Sequence, residues 1–210
     1  MNTKVVFTLI LLIIGSLEVV NSQGATFNQM SSLFSSYTFM VAGDQAYCTD
    51  VMGSSKISYG LAYSGVTQNP EGRTDLILTQ MEHDTGNLVI VGGPAVNPVA
   101  TEFDAVFGVT YNNNPGVSFE IFADGYSIFL NLNNHPSEDT CIVYVGQHNG
   151  RNVMLVWGYG WWGTYAGCML IGDPQTWQTY SGYHMLMLRW RDYNSDGLVQ
   201  ESEISVEQYN

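Results

Sequence analysis

The sequence predicts an α/β fold: a three-layer sandwich with a central, mostly parallel sheet, antiparallel hairpins added to it, and a C-terminal strand–calcium loop–strand. Three observations point there. A strand-like apolar run is followed by a helix-like segment three times, across residues 37–63, 88–107 and 153–171. Asp124-Gly125 and His148-Asn149-Gly150-Arg151 each stand between apolar runs, as hairpin turns do. Residues 184–190 and 204–207 alternate like strands on either side of an oxygen-rich loop. Buried strands alternating with helices pack as helices against a central sheet.

The elements follow in order. Thr26-Phe27-Asn28-Gln29 has the form of a capping box, and Phe27, Met30, Leu33 and Phe34 recur at helical spacing, so a short helix opens the fold. Tyr37 to Ala42 is a strand stopped by Gly43-Asp44; Thr49-Asp50 then starts a helix whose small residues, Gly53, Ser54, Gly60 and Ala62 among them, suit close packing on a sheet. Leu76-Ile77-Leu78 and Leu88-Val89-Ile90-Val91 are two apolar runs bracketing the turn-like Asp84-Thr85-Gly86-Asn87. The second reads as a strand buried on both faces. Gly92-Gly93-Pro94 turns the chain, Asn97 caps the next helix with Pro98 at its first position, and Val99, Phe103, Val106 and Phe107 form its buried stripe. Residues 119–123 and 126–130 make one hairpin and residues 141–146 and 152–157 another; the latter runs through Gly158-Tyr159-Gly160 into a helix over 161–171, closed by Gly172-Asp173-Pro174.

The chain has 210 residues, 45% hydrophobic and 12% charged, enough for one substantial core. Six basic residues stand against 19 acidic, a net charge of −13. Nucleic acids and anionic membranes attract clustered Lys and Arg, so neither is expected as a partner. Lys4 followed by the apolar run from Val5 to Ile14, with Val20 and Ser22 before Gln23, reads as a secretory signal peptide over residues 1–22. That leaves a single domain over 23–210, with no membrane span in the mature chain and a secreted or cell-surface location. Whether the signal is cut or kept as an anchor stays open. Cys48, Cys141 and Cys168 lack metal-ligand spacing; in an exported chain they read as one disulfide plus one thiol, in a pairing the sequence does not choose, or else as three buried free thiols.

The strand Phe39-Met40-Val41-Ala42-Gly43-Asp44 with its 50–63 helix, the segment Leu88-Val89-Ile90-Val91-Gly92-Gly93-Pro94-Ala95-Val96-Asn97, and Val156-Trp157-Gly158-Tyr159-Gly160 followed by Gly163-Thr164-Tyr165-Ala166 resemble, in that order, the α/β domain of archaeal surface-layer (S-layer) proteins. The resemblance runs from Tyr37 to about Gly172, and the Val-Gly-Gly-Pro-Ala-Val-Asn run is its most specific piece. It implies an exported structural protein of the cell wall that assembles with itself or with other cell-surface proteins, and no catalysis. Such proteins are usually several times longer and often glycosylated, whereas this chain has no Asn-X-Ser/Thr sequon; a small surface protein sharing only that domain is a parallel reading.

The sharpest chemical motif is the run from Asp192 to Glu203. Asp192, Asn194 and Asp196 stand at positions 1, 3 and 5 of a twelve-residue calcium loop, with Gly197 at the tight turn and Val199 as the inward hydrophobe. Leu198 would add its carbonyl, Gln200 an oxygen direct or through water, and Glu203 a bidentate carboxylate. Calcium is therefore the expected ion; magnesium prefers fewer protein ligands. The competing reading is an acidic turn.

No nucleophile elbow, His-Glu-X-X-His, phosphate loop or dinucleotide fingerprint occurs, so catalysis is not expected. Glu82-His83-Asp84 reads as an exposed polar loop, and His135, His148 and His184 are isolated in sequence. Gly92-Gly93-Pro94 and Gly158-Tyr159-Gly160 fall where open α/β sheets bind ligands, although such turns also simply reverse a chain. Tyr159, Trp161, Trp162 and Trp177 are of the type that stacks on sugars, which makes a glycan-binding or adhesion module the alternative function; core or interface is the other use of such rings. An exported hydrolase would need two converging carboxylates.

Overall fold

The computed structural model describes residues 24–210. The expected signal segment, residues 1–22, lies outside the described residues. A helical turn at Phe27–Gln29, closed by the Thr26/Gln29 capping box, leads into α1 (Met30–Leu33). Then follow β1 (Thr38–Ala42), α2 (Cys48–Tyr63), β2 (Glu71–Thr74), α3 (Gln80–Thr85), β3 (Asn87–Val91) and α4 (Pro98–Phe107). Three strands, β4 (Thr110–Asn114), β5 (Ser118–Ala123) and β6 (Tyr126–Asn131), precede the long hairpin of β7 (Glu138–His148) and β8 (Arg151–Gly158). The chain ends with α5 (Trp161–Ile171), α6 (Pro174–Thr179), β9 (Met185–Arg191) and β10 (Ile204–Tyr209).

A seven-stranded sheet runs in the order β10-β9-β7-β8-β3-β1-β2, and β4-β5-β6 form a separate antiparallel sheet. β2, β1, β3 and β8 pair in parallel; β7 reverses against β8, and β9 reverses again against β7. β9 thus points along β8, and only β7 and β10 oppose the common direction. The mostly parallel sheet expected from the sequence is present.

Alternation along the strands sorts the core into two layers. Met40, Val89, Val91, Val143, Met154 and Val156 pack with Ile57 and Leu61 of α2 and Ala166 and Ile171 of α5. Phe39, Val41, Leu88, Ile90, Leu155 and Trp157 pack on the other face against Phe103 and Phe107 of α4 and Phe119, Ile121, Ile128 and Leu130 of the small sheet. Burying each such side chain contributes about 1.5–3 kcal/mol. The outer layer on that second face is one helix plus a sheet, because β5 and β6 turn one apolar face inward.

Both hairpins form as expected. Asp124 and Gly125 (φ 53° and 84°) and Asn149 and Gly150 (φ 50° and 78°) sit in the left-handed region that two-residue hairpin turns require. Asn97 caps α4 by accepting from the Val99 N–H at 3.2 Å.

Several details depart from the expectations. Leu76-Ile77-Leu78 is a turn, with Leu76 71% and Ile77 62% exposed; the strand here is the polar β2 before it. A sheet-edge strand needs no apolar face, and Arg73 holds it by pairing with Glu71 and Glu82. The stretch read as a turn at Asp84-Thr85 ends α3, which starts from a Thr79/Glu82 capping box. β4 and α6 were not expected: one is Asn-rich and exposed, the other short and announced only by Asp173-Pro174. The three cysteines are unpaired in this structure, Cys48 exposed and Cys141 and Cys168 buried. Among the described residues no helix is long and apolar enough to cross a membrane.

Candidate functional site

In an open α/β sheet the crevice for a ligand lies beyond the carboxyl ends of the strands, where successive connections leave for opposite faces. Here β1 leads to α2 on one face and β3 to α4 on the other, while β8 leads to α5 beside α2. Asn97, fully buried, ties the two diverging exits together by donating to Val41 O and Val91 O, each at 3.2 Å. A Cβ on Gly43 would fall 1.9 Å from Val96 O, so glycine alone lets these loops touch.

Between the exits of β3 and β8 lies a cavity of about 170 Å³. Tyr47, Tyr111, Trp157, Tyr159 and Trp161 supply rings to its wall, and Asp50 a carboxylate. Trp157 is fixed from behind: its indole N–H donates to Asp104 Oδ1 at 3.0 Å, and Tyr111 meets it edge-on at 6.0 Å. Trp161 stacks on Trp162 at 4.1 Å.

Asp50 sits in the first turn of α2 and is 3% exposed, and its Oδ1 has no hydrogen-bond partner among the described residues. Its carboxylate lies against β3's exit, where a Cβ on Gly92 would stand 2.8 Å from Oδ2. Gly92 is also in the left-handed region (φ 94°), so glycine serves here for conformation and for space. Loss of water around Asp50 pushes its pKa up to about 6.

Two further buried carboxylates flank the crevice and face away from it. Asp139 caps α5, accepting from Gly163 N at 2.8 Å and Gly160 N at 3.0 Å; desolvation still outweighs those bonds and lifts its pKa to about 7. Burial lifts Asp104 to about 7, against the lowering effect of the Trp157 hydrogen bond. Among the described residues no basic or histidine side chain lines the cavity.

The residues expected to ligate calcium form a turned loop between β9 and β10. Asp192 Oδ1 and Asn194 Oδ1 both accept from Asp196 N, at 3.1 and 2.9 Å, which brings these two oxygens together. Asp192 Oδ2 accepts from Gly197 N at 2.9 Å, and Asp196 Oδ1 from Leu198 N at 2.8 Å. Gln200 donates its amide to Asp196 Oδ2 at 2.7 Å. Ser195 and Gly197 (φ 61° and 72°) make the tight turn expected at the glycine. Glu203 lies apart from these: 5% exposed, it accepts from the Trp190 indole at 3.1 Å and Tyr193 N at 3.2 Å. Among the described residues no three His, Cys, Asp or Glu side chains gather around one point.

Of the rings singled out in the sequence, Tyr159 and Trp161 reach the crevice, while Trp162 lies between Trp161 and Trp190. Trp177 is core, its indole bonded to Ile171 O at 2.7 Å. His135 packs edge-on against Tyr159 and Trp162 behind the crevice rim. Glu82-His83-Asp84 belongs to α3: Glu82 binds Arg73, and His83 bridges Asp84 and Glu102, 2.9 Å from each. In the sequence Asp50 reads only as a helix start. The signal available was an acid in the first turn of a helix that follows a buried strand.

No family model matches this chain, and no curated protein matches it.

Proposed function

We propose that this is an exported binding protein of the cell surface, whose crevice at the β3 and β8 exits takes a small ligand and whose 192–203 loop holds calcium. One observation carries the binding reading: the buried carboxylate of Asp50, one of whose oxygens lacks a partner among the described residues, set in a wall of aromatic rings. A buried polar group without a partner costs on the order of 1–3 kcal/mol, and a ligand that meets this carboxylate would offset part of that cost. Glycans, anticipated from Tyr159 and Trp161, are one ligand class to be tried. Hydrolysis has less support, because Asp104 and Asp139 serve Trp157 and α5 and leave Asp50 without a second converging acid.

The calcium part rests on the order and spacing of oxygen donors. Asp192, Asn194 and Asp196 would offer side-chain oxygens, Leu198 its carbonyl, and Gln200 and Glu203 the remainder. The ion would brace the hairpin of β9 and β10.

The test is emission from Trp157 and Trp161 during titration with a panel of saccharides and small ionic ligands. Ala95→Trp, at the crevice mouth, is expected to abolish any response. Responses unchanged by Ala95→Trp would place binding elsewhere and defeat the reading.

A second reading, the structural S-layer or S-layer-associated subunit, is favoured by one specific feature. α2 exposes Val51, Met52, Tyr59 and Tyr63 along its outer side, more apolar area than a solvated helix needs. Calcium-dependent oligomers that disperse when Tyr59 and Tyr63 are changed to Glu would support it; a monomer at all concentrations, recovered free in the medium, would remove it.

A further inference from the structure

We infer that the crevice is specific for a small organic cation: an alkylammonium group whose charge meets Asp50 and whose carbon atoms face the surrounding rings. This rests on the binding reading above and adds the chemical class of the ligand.

Charge excludes the opposite class. An anion would need a basic side chain or a free helix N-terminus. Among the described residues the cavity wall contains no Lys, Arg or His. Of the two helices that begin at the crevice, α5 has its N-terminal N–H groups taken by Asp139, and α2 carries the acidic Asp50 in its first turn, a charge that repels an anion there. The chain's net charge of −13 further disfavours an anion and draws cations in.

A neutral polyol fits less well than a cation. It could hydrogen-bond to Asp50, yet it would leave a desolvated negative charge without a counter-charge. An ammonium supplies that charge directly. The remaining wall suits the same group: Tyr47, Tyr111, Trp157, Tyr159 and Trp161 present rings, and aromatic faces attract alkylammonium ions through the ring quadrupole.

Size narrows the class. Sites for drug-sized ligands run to roughly 300–1,000 Å³. The cavity here, about 170 Å³, holds a headgroup rather than an oligosaccharide or a folded peptide. The mouth carries Tyr47, 66% exposed, and Tyr111, 45% exposed, so a cation can enter between exposed rings with any substituent left outside.

The experiment titrates the full exported chain with choline, its uncharged carbon isostere neohexanol, methyl glucoside and inorganic phosphate, by calorimetry and tryptophan emission. Choline is expected to bind at least about tenfold more tightly than neohexanol. Asp50→Asn should lose that preference while its circular dichroism and Tm stay at or above those of the parent. Flotation with phosphatidylcholine vesicles separates the sources: co-flotation blocked by choline assigns a lipid headgroup, and choline binding without co-flotation assigns a free small cation. Equal binding of choline and neohexanol, or an Asp50→Asn variant that still prefers choline, overturns the inference. Binding of methyl glucoside or phosphate in place of choline, lost in Ala95→Trp, also overturns it and leaves the crevice as a binding site. No response to any of the four probes counts against both.

Discussion

The Trp190 indole N–H donates to Glu203 Oε2 at 3.1 Å, which locks the last acid of the 192–203 loop onto the core of β9. Trp190 also stacks parallel to Trp162, 6.3 Å away, and Trp162 donates weakly to Gly197 O at 3.4 Å. Tryptophans therefore hold the loop at its middle, through Gly197, and at its last residue, Glu203.

Calcium should compete with Trp190 for Glu203. Addition of calcium is expected to raise Tm, since an ion that binds only the folded chain stabilises it by mass action. It should also change Trp190 emission. Glu203→Gln keeps an acceptor for the indole and should melt near the parent in chelator, yet lose the calcium response, as should Asp192→Ala with Glu203→Ala. Identical melting with calcium and with chelator would contradict this.

The buried carboxylates set the pH dependence. Asp104 and Asp139 have folded pKa values raised from 3.8 to about 7, and Asp50 to about 6. Between 3.8 and those values the folded chain keeps protons that the unfolded chain releases, so stability falls as pH rises through the window. Tm should be higher near pH 5 than near pH 8, approximately. Asp104→Asn, still able to accept from Trp157, should flatten part of the slope and raise Tm at the alkaline end by an effect on the order of 1–3 kcal/mol. A Tm that rises with pH across this window would contradict the assignment.

α2 crosses α5 at a point where backbones nearly touch. A Cβ on Gly60 would stand 2.1 Å from Gly172 O. Gly60→Ala should cost about 1–3 kcal/mol, read from denaturant unfolding. Gly72→Ala, with nothing within 4 Å of its Cβ, should change stability by less than about 0.5 kcal/mol.

Arg189 joins the two sheets. Its guanidinium binds Glu138 and Glu207 and donates to Phe129 O at 2.8 Å. Arg189→Met should cost about 3–5 kcal/mol, because Glu138 and Glu207 would be left facing a half-buried pocket with one fewer cation. Adding Glu138→Gln and Glu207→Gln to it should recover part of the loss.

Much of the fold was legible because period and punctuation agree. The continuous run Leu88 to Val91, the cap Asn97-Pro98 and the Asp124-Gly125 turn each specify one local structure. Apolarity without burial gave no element: the run Leu76-Ile77 lies in an exposed turn, and the edge strand Glu71–Thr74 was missed because it carries no apolar pattern. The tight turn at Ser195 and Gly197 was visible because its residues are local in sequence. The crevice was only half visible. Its glycine turns were legible, but Tyr47, Asp50 and Tyr111 come from separate elements, and their meeting depends on the chain leaving β1 and β3 in opposite directions.

Asp50 is the buried acid on which the proposed ligand crevice turns. Its titratable surroundings include Cys168 of α5, whose thiol burial holds well above its ordinary pKa. The most direct measurement is the carboxyl-carbon NMR titration of aspartate in the full chain, free and saturated with choline. Asp50 is expected to titrate at about 6 when free and clearly lower with choline bound, while Asp104 and Asp139 stay at about 7 in both. An Asp50 that titrates near the ordinary 3.8, or whose pKa does not move with choline, would contradict the account.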